Sequence, residues 1–383
     1  MSSLTPIRRV VTGNDAQGRS NVTWDGAAPN SHEASLGSGR GHTDIWVWHE
    51  TPLPINGTND DGNLDYVFSG PMGGGHFRVV QAKARPATYD RAKDPDVIAP
   101  HLPKPRVPGQ GLWDRGGNSL FESAMHKTQT LDYGIVINNG RDLVLDDCRL
   151  PMKVGDIVCQ VGAWHQWVFP DGAQMAFDMI WADFGPDGKG LAQGNDRPFP
   201  APTLPAGVRG TRRIVSIDKT EGRGELVGDT AAPDVRTDPA RPGFAVHRLW
   251  VADGHPAKMV YETLHLPHAI EPPKNGSVCR VFDYPPDASW KGKVGEAEIK
   301  AYFKMMNSPG ASTYSASAPH PYMQKTRTLD CIIVQEGEVV LVLETQEVTL
   351  KKGDFIVQRG TRHAWSNRTD KPAVLAIAAH DGK

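Results

Sequence analysis

Cysteine, charge of one sign and long apolar runs are all scarce in this chain, and each shortage removes a class of protein. The 383 residues hold four cysteines (Cys148, Cys159, Cys279 and Cys331), none in a C-x-x-C spacing. Neither a disulfide scaffold nor a cysteine zinc cluster is written there. Cys159 and Cys331 lie within apolar runs and read as reduced, buried thiols. Lys and Arg number 42 against 44 Asp and Glu, a net charge of -2 with no block of like charge. That balance argues against nucleic acid or an anionic membrane as a partner. No stretch approaches the length of a membrane span, and the start, MSSLTPIRRVV, has no apolar signal region. A cytoplasmic location is the expectation that follows. No serine nucleophile elbow or kinase signature occurs. His76 follows Gly73, Gly74 and Gly75 but lacks the strand–loop–helix setting of a phosphate loop, and it reads as a strand-start residue.

Turn-forming residues are abundant instead. Gly 40 and Pro 31 cut the chain into short segments, most of them apolar and β-branched. A strand over 338–344 is followed by a polar Thr345-Gln346 turn and a return strand over 347–350. Next come a turn at Gly353-Asp354, a strand over 355–358 and an apolar run over 373–379. Strands this short and evenly spaced predict an all-β fold, a small antiparallel barrel or sandwich. One exception, 296–306, carries Ile299, Tyr302, Phe303 and Met306 on a single helical face, and predicts a helix covering a barrel end or an interface.

The sequence also repeats itself. Residues 126–165 match 324–363 at a constant offset of 198 (126 to 324). Lys127, Thr128, Thr130, Leu131 and Asp132 pair with Lys325, Thr326, Thr328, Leu329 and Asp330. Gly155-Asp156 pairs with Gly353-Asp354, and His165 with His363. The loudest chemical difference among the motif residues is His126, which becomes Gln324. Farther out, Arg8-Arg9 is echoed by Arg212-Arg213, Asp25 by Asp229 and Trp46-Val47 by Trp250-Val251. Such long-period similarity predicts a tandem duplication. Its expected units are an N-terminal domain over 1–185, a Pro/Gly-rich linker over 186–206 and a C-terminal domain over 207–383.

Within the first copy, His126, Thr128, Thr130 and Asp132 alternate along an extended segment and share one face of a strand, which leaves Lys127 and Lys325 pointing outward. His165 opens a neighbouring strand after a tight turn. This pattern resembles the cupin superfamily, and two copies in one chain resemble a bicupin. The first cupin motif, H-x-H with a carboxylate and a glycine, is met by His126, Asp132 and the turn Asn138-Asn139-Gly140. The second, built on Gly-Asp, a turn and a histidine, is met by Gly155-Asp156, Gly162 and His165. Copy two offers Asp330, Gly337, Gly353-Asp354, Gly360, His363 and Asn367. Two departures stand out: Thr128 and Thr326 replace the second histidine of H-x-H, and an Asp replaces the usual Glu.

The resemblance implies two tandem cupin-type barrels (double-stranded β-helix, or jelly roll) with a few short helices, paired into a homodimer. It also implies that His126, Asp132 and His165 converge in one cavity. Two imidazoles and a carboxylate with open positions suit a divalent iron, manganese, nickel or zinc ion. In that expectation His126, Asp132 and His165 hold the metal, His126 and His165 are catalytic, and Thr128, Thr130 and Trp167 contact substrate. No metal is expected in the C-terminal barrel. The enzyme class favoured is a metal-dependent dioxygenase acting on a small organic molecule. Two alternatives stay open: a metal-free isomerase, dehydratase or lyase using His126 or His165 as base with Asp132 orienting it, and a non-catalytic small-molecule-binding barrel.

Overall fold

A computed structural model describes residues 3–34, 38–64, 70–98, 111–119, 121–184, 203–220 and 222–383. Most of the expected linker, up to residue 202, lies outside the described residues. The fold is all-β, as the strand spacing predicts. Two eight-stranded sheets repeat one topology. In the first, the order is Asn30–Glu33, Gly41–Trp48, Gly75–Gln81, Gln174–Trp181, Thr130–Asn138, Ile157–Val161, Arg212–Thr220, Arg223–Ala231. In the second it is Asp234–Thr237, Ala245–Ala252, Ser277–Tyr284, Ala373–Asp381, Thr328–Glu336, Phe355–Arg359, Arg8–Asn14, Ser20–Ala27. A three-stranded sheet completes each barrel: Arg149–Met152, Arg141–Val144 and Gln166–Val168 in one, Glu347–Lys351, Glu338–Leu343 and His363–Ser366 in the other.

Each large sheet therefore ends in a hairpin from the opposite half of the chain. Arg8–Asn14 runs parallel to Phe355–Arg359, with Val10 opposite Ile356, and Arg212–Thr220 runs parallel to Ile157–Val161, with Ile214 opposite Val158. Val10 packs inside the C-terminal barrel and Ile214 inside the N-terminal one. Matching ion pairs hold the exchange. Arg8 reaches Asp25 at 2.8 Å and Asp354 at 2.7 Å, and Arg212 reaches Asp229 and Asp156, both at 2.7 Å. Asp156 and Asp354 also accept the backbone N–H of Lys153 and Lys351 at 2.9 Å. The Gly-Asp repeat thus ties a turn to an exchanged hairpin.

Strand alternation sends one face of each large sheet into its own barrel and the other onto the opposing sheet. Tyr133, Ile135, Trp46 and Phe77 meet Cys279, Val281, Phe355 and Val357 in one shared core, with the Phe77 and Phe355 ring centroids 5.4 Å apart. The expected helix forms over Glu296–Met305 and buries Ile299, Tyr302 and Phe303 in the C-terminal barrel's core.

Candidate functional site

The N-terminal barrel encloses a cavity of about 360 Å3, lined by His126, Thr128, Asp132, Arg141, His165 and Trp167 among others. His126 and His165 face each other because their backbones form a reciprocal bridge, each N–H donating to the other's carbonyl at 2.9 Å. Their ring centroids stand 4.2 Å apart. His126 Nδ1 lies 2.7 Å from Ala124 O and His165 Nδ1 lies 2.8 Å from Ala163 O. A carbonyl only accepts, so both Nδ1 atoms carry the proton and both Nε2 atoms present a lone pair. Burial pushes both imidazoles below their ordinary pKa, His165 far below. Both rings are neutral at neutral pH, the state that ligates a metal or accepts a proton.

Asp132 lies deeper. Burial, reinforced by Asp178, raises its carboxyl to about 7, against the opposing hydrogen bond of Thr130. Its Oδ1 has no partner among the described residues. Neighbouring positions across the sheet continue this polar layer: Ser216 pairs with Gln160, Gln160 with Asp132, Asp132 with Met179 and Met179 with His76. Ser216 Oγ, both amide atoms of Gln160 and both ring nitrogens of His76 are buried without a partner among the described residues. Such atoms need solvent or a ligand to satisfy them.

The sequence-predicted residues divide clearly. His126, Asp132, His165, Thr128 and Trp167 all line the cavity, whereas Thr130 is not among its lining residues and donates to Thr128 Oγ1 at 2.7 Å. Thr328 and Thr326 make the same contact at 2.7 Å in the second copy, so this pair belongs to the fold. The structure brings His126, Asp132 and His165 to one cavity but not to one another, since their ligand atoms do not all come within 4.8 Å. Among the described residues that spacing occurs only in Asp178, Cys331 and His380, between the two large sheets. Asp178 and His380 already bond each other at 2.9 Å, and burial holds the Cys331 thiol well above its ordinary pKa. A metal there would have to displace a buried hydrogen bond and a proton. Lys127 does leave the cavity face, yet it does not reach solvent: it is buried against Asp218 of the exchanged hairpin at 2.8 Å. His76 is the strand-start residue expected, in Gly75–Gln81, and it is fully buried on the same strand face as the cavity-lining Arg78 and Val80. Arg141 was invisible to the motif. It follows the Asn138-Asn139-Gly140 turn as an unremarkable strand residue, and only its replacement by Val339 in the second copy marks it.

The second barrel presents the same framework closed. Its corresponding cavity is about 20 Å3, lined by Arg280, Phe282, Tyr284, Tyr302, Gln324, Asp330, His363 and Trp365 among others. Gln324 Nε2 lies 3.2 Å from His363 Nε2, and His363 Nδ1 lies 3.0 Å from Thr361 O and 2.9 Å from the Gln358 amide. Both imidazole nitrogens are engaged internally.

Residues 311–379 match the Cupin_2 family model, a cupin domain. A cupin-domain-containing oxidoreductase of Hypocrea virens is 28% identical over 187 residues, 45% of this chain and 72% of that protein. Two phomopsin biosynthesis cluster proteins of Diaporthe leptostromiformis, C' and D, are each 48% identical over 48 residues, 12% of this chain. The chain spans 25% of the length of each. Among solved structures, a variant salicylate 1,2-dioxygenase of Pseudoaminobacter salicylatoxidans, in complex with gentisate, aligns with a TM-score of 0.40 at 12% identity, covering 91% of this chain and 76% of that one. The second half of the chain thus contains a cupin domain, and the first half repeats its strand order.

Proposed function

We propose that the protein is an oxidoreductase of the dioxygenase type. It would act on a small organic molecule in the N-terminal cavity, at a divalent metal held by His126 and His165. The observation that carries this reading is the pair of neutral imidazoles 4.2 Å apart. Each has its Nδ1 proton tied to a backbone carbonyl, the arrangement that fixes the tautomer and aims Nε2 at a metal. Two of the expected ligands fit such an ion. The third, Asp132, does not close within 4.8 Å of both imidazoles together and holds its proton up to about pH 7, so the remaining positions would fall to water and substrate. Bound there, the metal would supply a Lewis acid with open positions for a substrate oxygen and O2. The residues themselves would orient the substrate against Trp167, exclude water with the apolar wall of Phe169, Phe177 and Met179, and hold a proton on Asp132. The Hypocrea virens relative, an oxidoreductase by its description, supports the same class.

The test is metal analysis of the full chain with turnover before and after chelation. One bound iron, manganese, nickel or zinc that disappears in His126→Ala and His165→Ala supports the reading; no bound metal and undiminished turnover after chelation would remove it. A specific observation favours one second reading. A buried carboxyl titrating near neutrality is suited to general acid–base work, so a metal-free lyase or isomerase would show a pH–rate limb near 7 that vanishes in Asp132→Asn.

A further inference from the structure

We propose that Arg141 makes the N-terminal cavity a receptor for an organic monoanion, a carboxylate carried on an apolar or aromatic body. The proposal rests on the reading that this cavity is the substrate site. Arg141 is 1% exposed, and its Nε, Nη1 and Nη2 all lack a hydrogen-bond partner among the described residues. Other buried guanidinium groups of this chain are answered. Arg78 pairs with Asp44 at 2.7 Å, Arg213 with Glu262 at 2.8 Å and Arg241 with Asp238 at 2.7 Å, and Arg280 donates to the carbonyls of Ala269 and Ile270. Arg141 has only the ring faces of Phe169 at 4.3 Å and Trp167 at 5.4 Å. These attract a cation but accept none of its N–H bonds in the plane. Burial and the nearby Arg40 lower its pKa to about 9, so it remains charged at neutral pH. A buried cation in this state is costly unless something answers it.

The second barrel shows that the fold does not require it. Arg141 sits opposite Met152, and the matching pair in the other barrel is Val339 opposite Leu350, both in the apolar core. The guanidinium therefore serves the cavity. Its planar fork matches a carboxylate. One guanidinium without a hydrogen-bond partner among the described residues answers one negative charge. Val80, Trp167, Phe169, Phe177 and Met179 supply apolar wall for the rest of the ligand. A volume of about 360 Å3 lies at the small end of small-molecule sites.

The test titrates the full chain, wild type and Arg141→Val, with benzoate, phenylacetate and the corresponding amides, read by tryptophan emission and thermal shift. The wild type is expected to bind at least one acid about tenfold or more tightly than its amide. The variant should lose that preference, keep its amide affinity and melt no lower than wild type. Arg141→Met, which preserves side-chain length, gives the same reading should valine unfold the chain. Acids and amides behaving alike on the wild type, or an acid preference surviving in the variants, overturns the proposal. Metal content of the same samples separates the two readings. Bound metal without acid preference removes only the anion site, and acid preference without metal removes only the metal centre.

Discussion

In the N-terminal barrel the cavity is walled by Arg40, His42, Val80 and Arg141; strand pairing places Phe244, Val246, Phe282 and Val339 at the same positions in the C-terminal barrel. His126 becomes Gln324, whose amide occupies the Nε2 that would face a ligand. The helix Glu296–Met305 then adds Tyr302 to the pocket, and about 360 Å3 shrinks to about 20 Å3. Strand order, exchanged hairpins, the threonine pair and the deep aspartate remain the same. The difference teaches that the shared features specify the barrel, while the features confined to one copy specify what it holds. A polar, half-satisfied interior is retained in one barrel; in the other, aromatic side chains and an internal amide contact fill the space.

The comparison can be broken most sharply at His126. His126→Gln copies the second barrel and should drop bound metal to background, with turnover falling at least about 100-fold. His363→Ala should leave both unchanged. Metal analysis and steady-state assays read the outcome. Next, the plug itself can be pulled. Tyr302→Ala empties a filled barrel and should cost about 3–5 kcal/mol in denaturant melts, whereas Phe177→Ala only enlarges an existing cavity and should cost about 2 kcal/mol.

The deep aspartates give a pH test. Asp132 holds its proton up to about 7 in the folded chain but releases it near about 3.9 when unfolded. The native state therefore carries the extra proton across that window, and stability falls as pH rises through it. Asp132→Asn should remove that slope and raise stability at pH 8 by about 1–3 kcal/mol. Asp330, pushed only to about 6, should give the same sign over a narrower window. Thermal melts from pH 4 to 8 would show no difference between wild type and variant if the aspartate titrated normally. The smallest effect concerns what the barrels share. Arg8→Ala and Arg212→Ala should each cost about 1 kcal/mol, equally, and less in high salt, because these pairs are partly solvent-exposed.

Much of the fold could be read in the sequence, because short β-branched strands and the offset of 198 (126 to 324) are local signals. The hairpin exchange could not. Parallel pairing of Val10 with Ile356 joins residues far apart in sequence, and Arg8 repeats as Arg212 whichever barrel it serves. For the site, the motif placed His126, Asp132 and His165 on one cavity. It could not show that Asp132 fails to close within 4.8 Å of both imidazoles together, since strand alternation fixes a face but not a distance. Lys127 shows the same limit: alternation turned it away from the cavity, but the exchanged hairpin lay on that side, where Asp218 receives it. Arg141 escaped, and His76 was read only as a strand-start residue, because what sets both apart is a missing partner among the described residues, which only three-dimensional packing reveals.

The central claim is that one barrel of two holds the site. It is tested most directly by metal stoichiometry of His165→Ala and His363→Ala, prepared side by side with wild type. The account predicts about one ion per chain in wild type and His363→Ala and background in His165→Ala. Equal loss in both variants, or loss in His363→Ala alone, would contradict it.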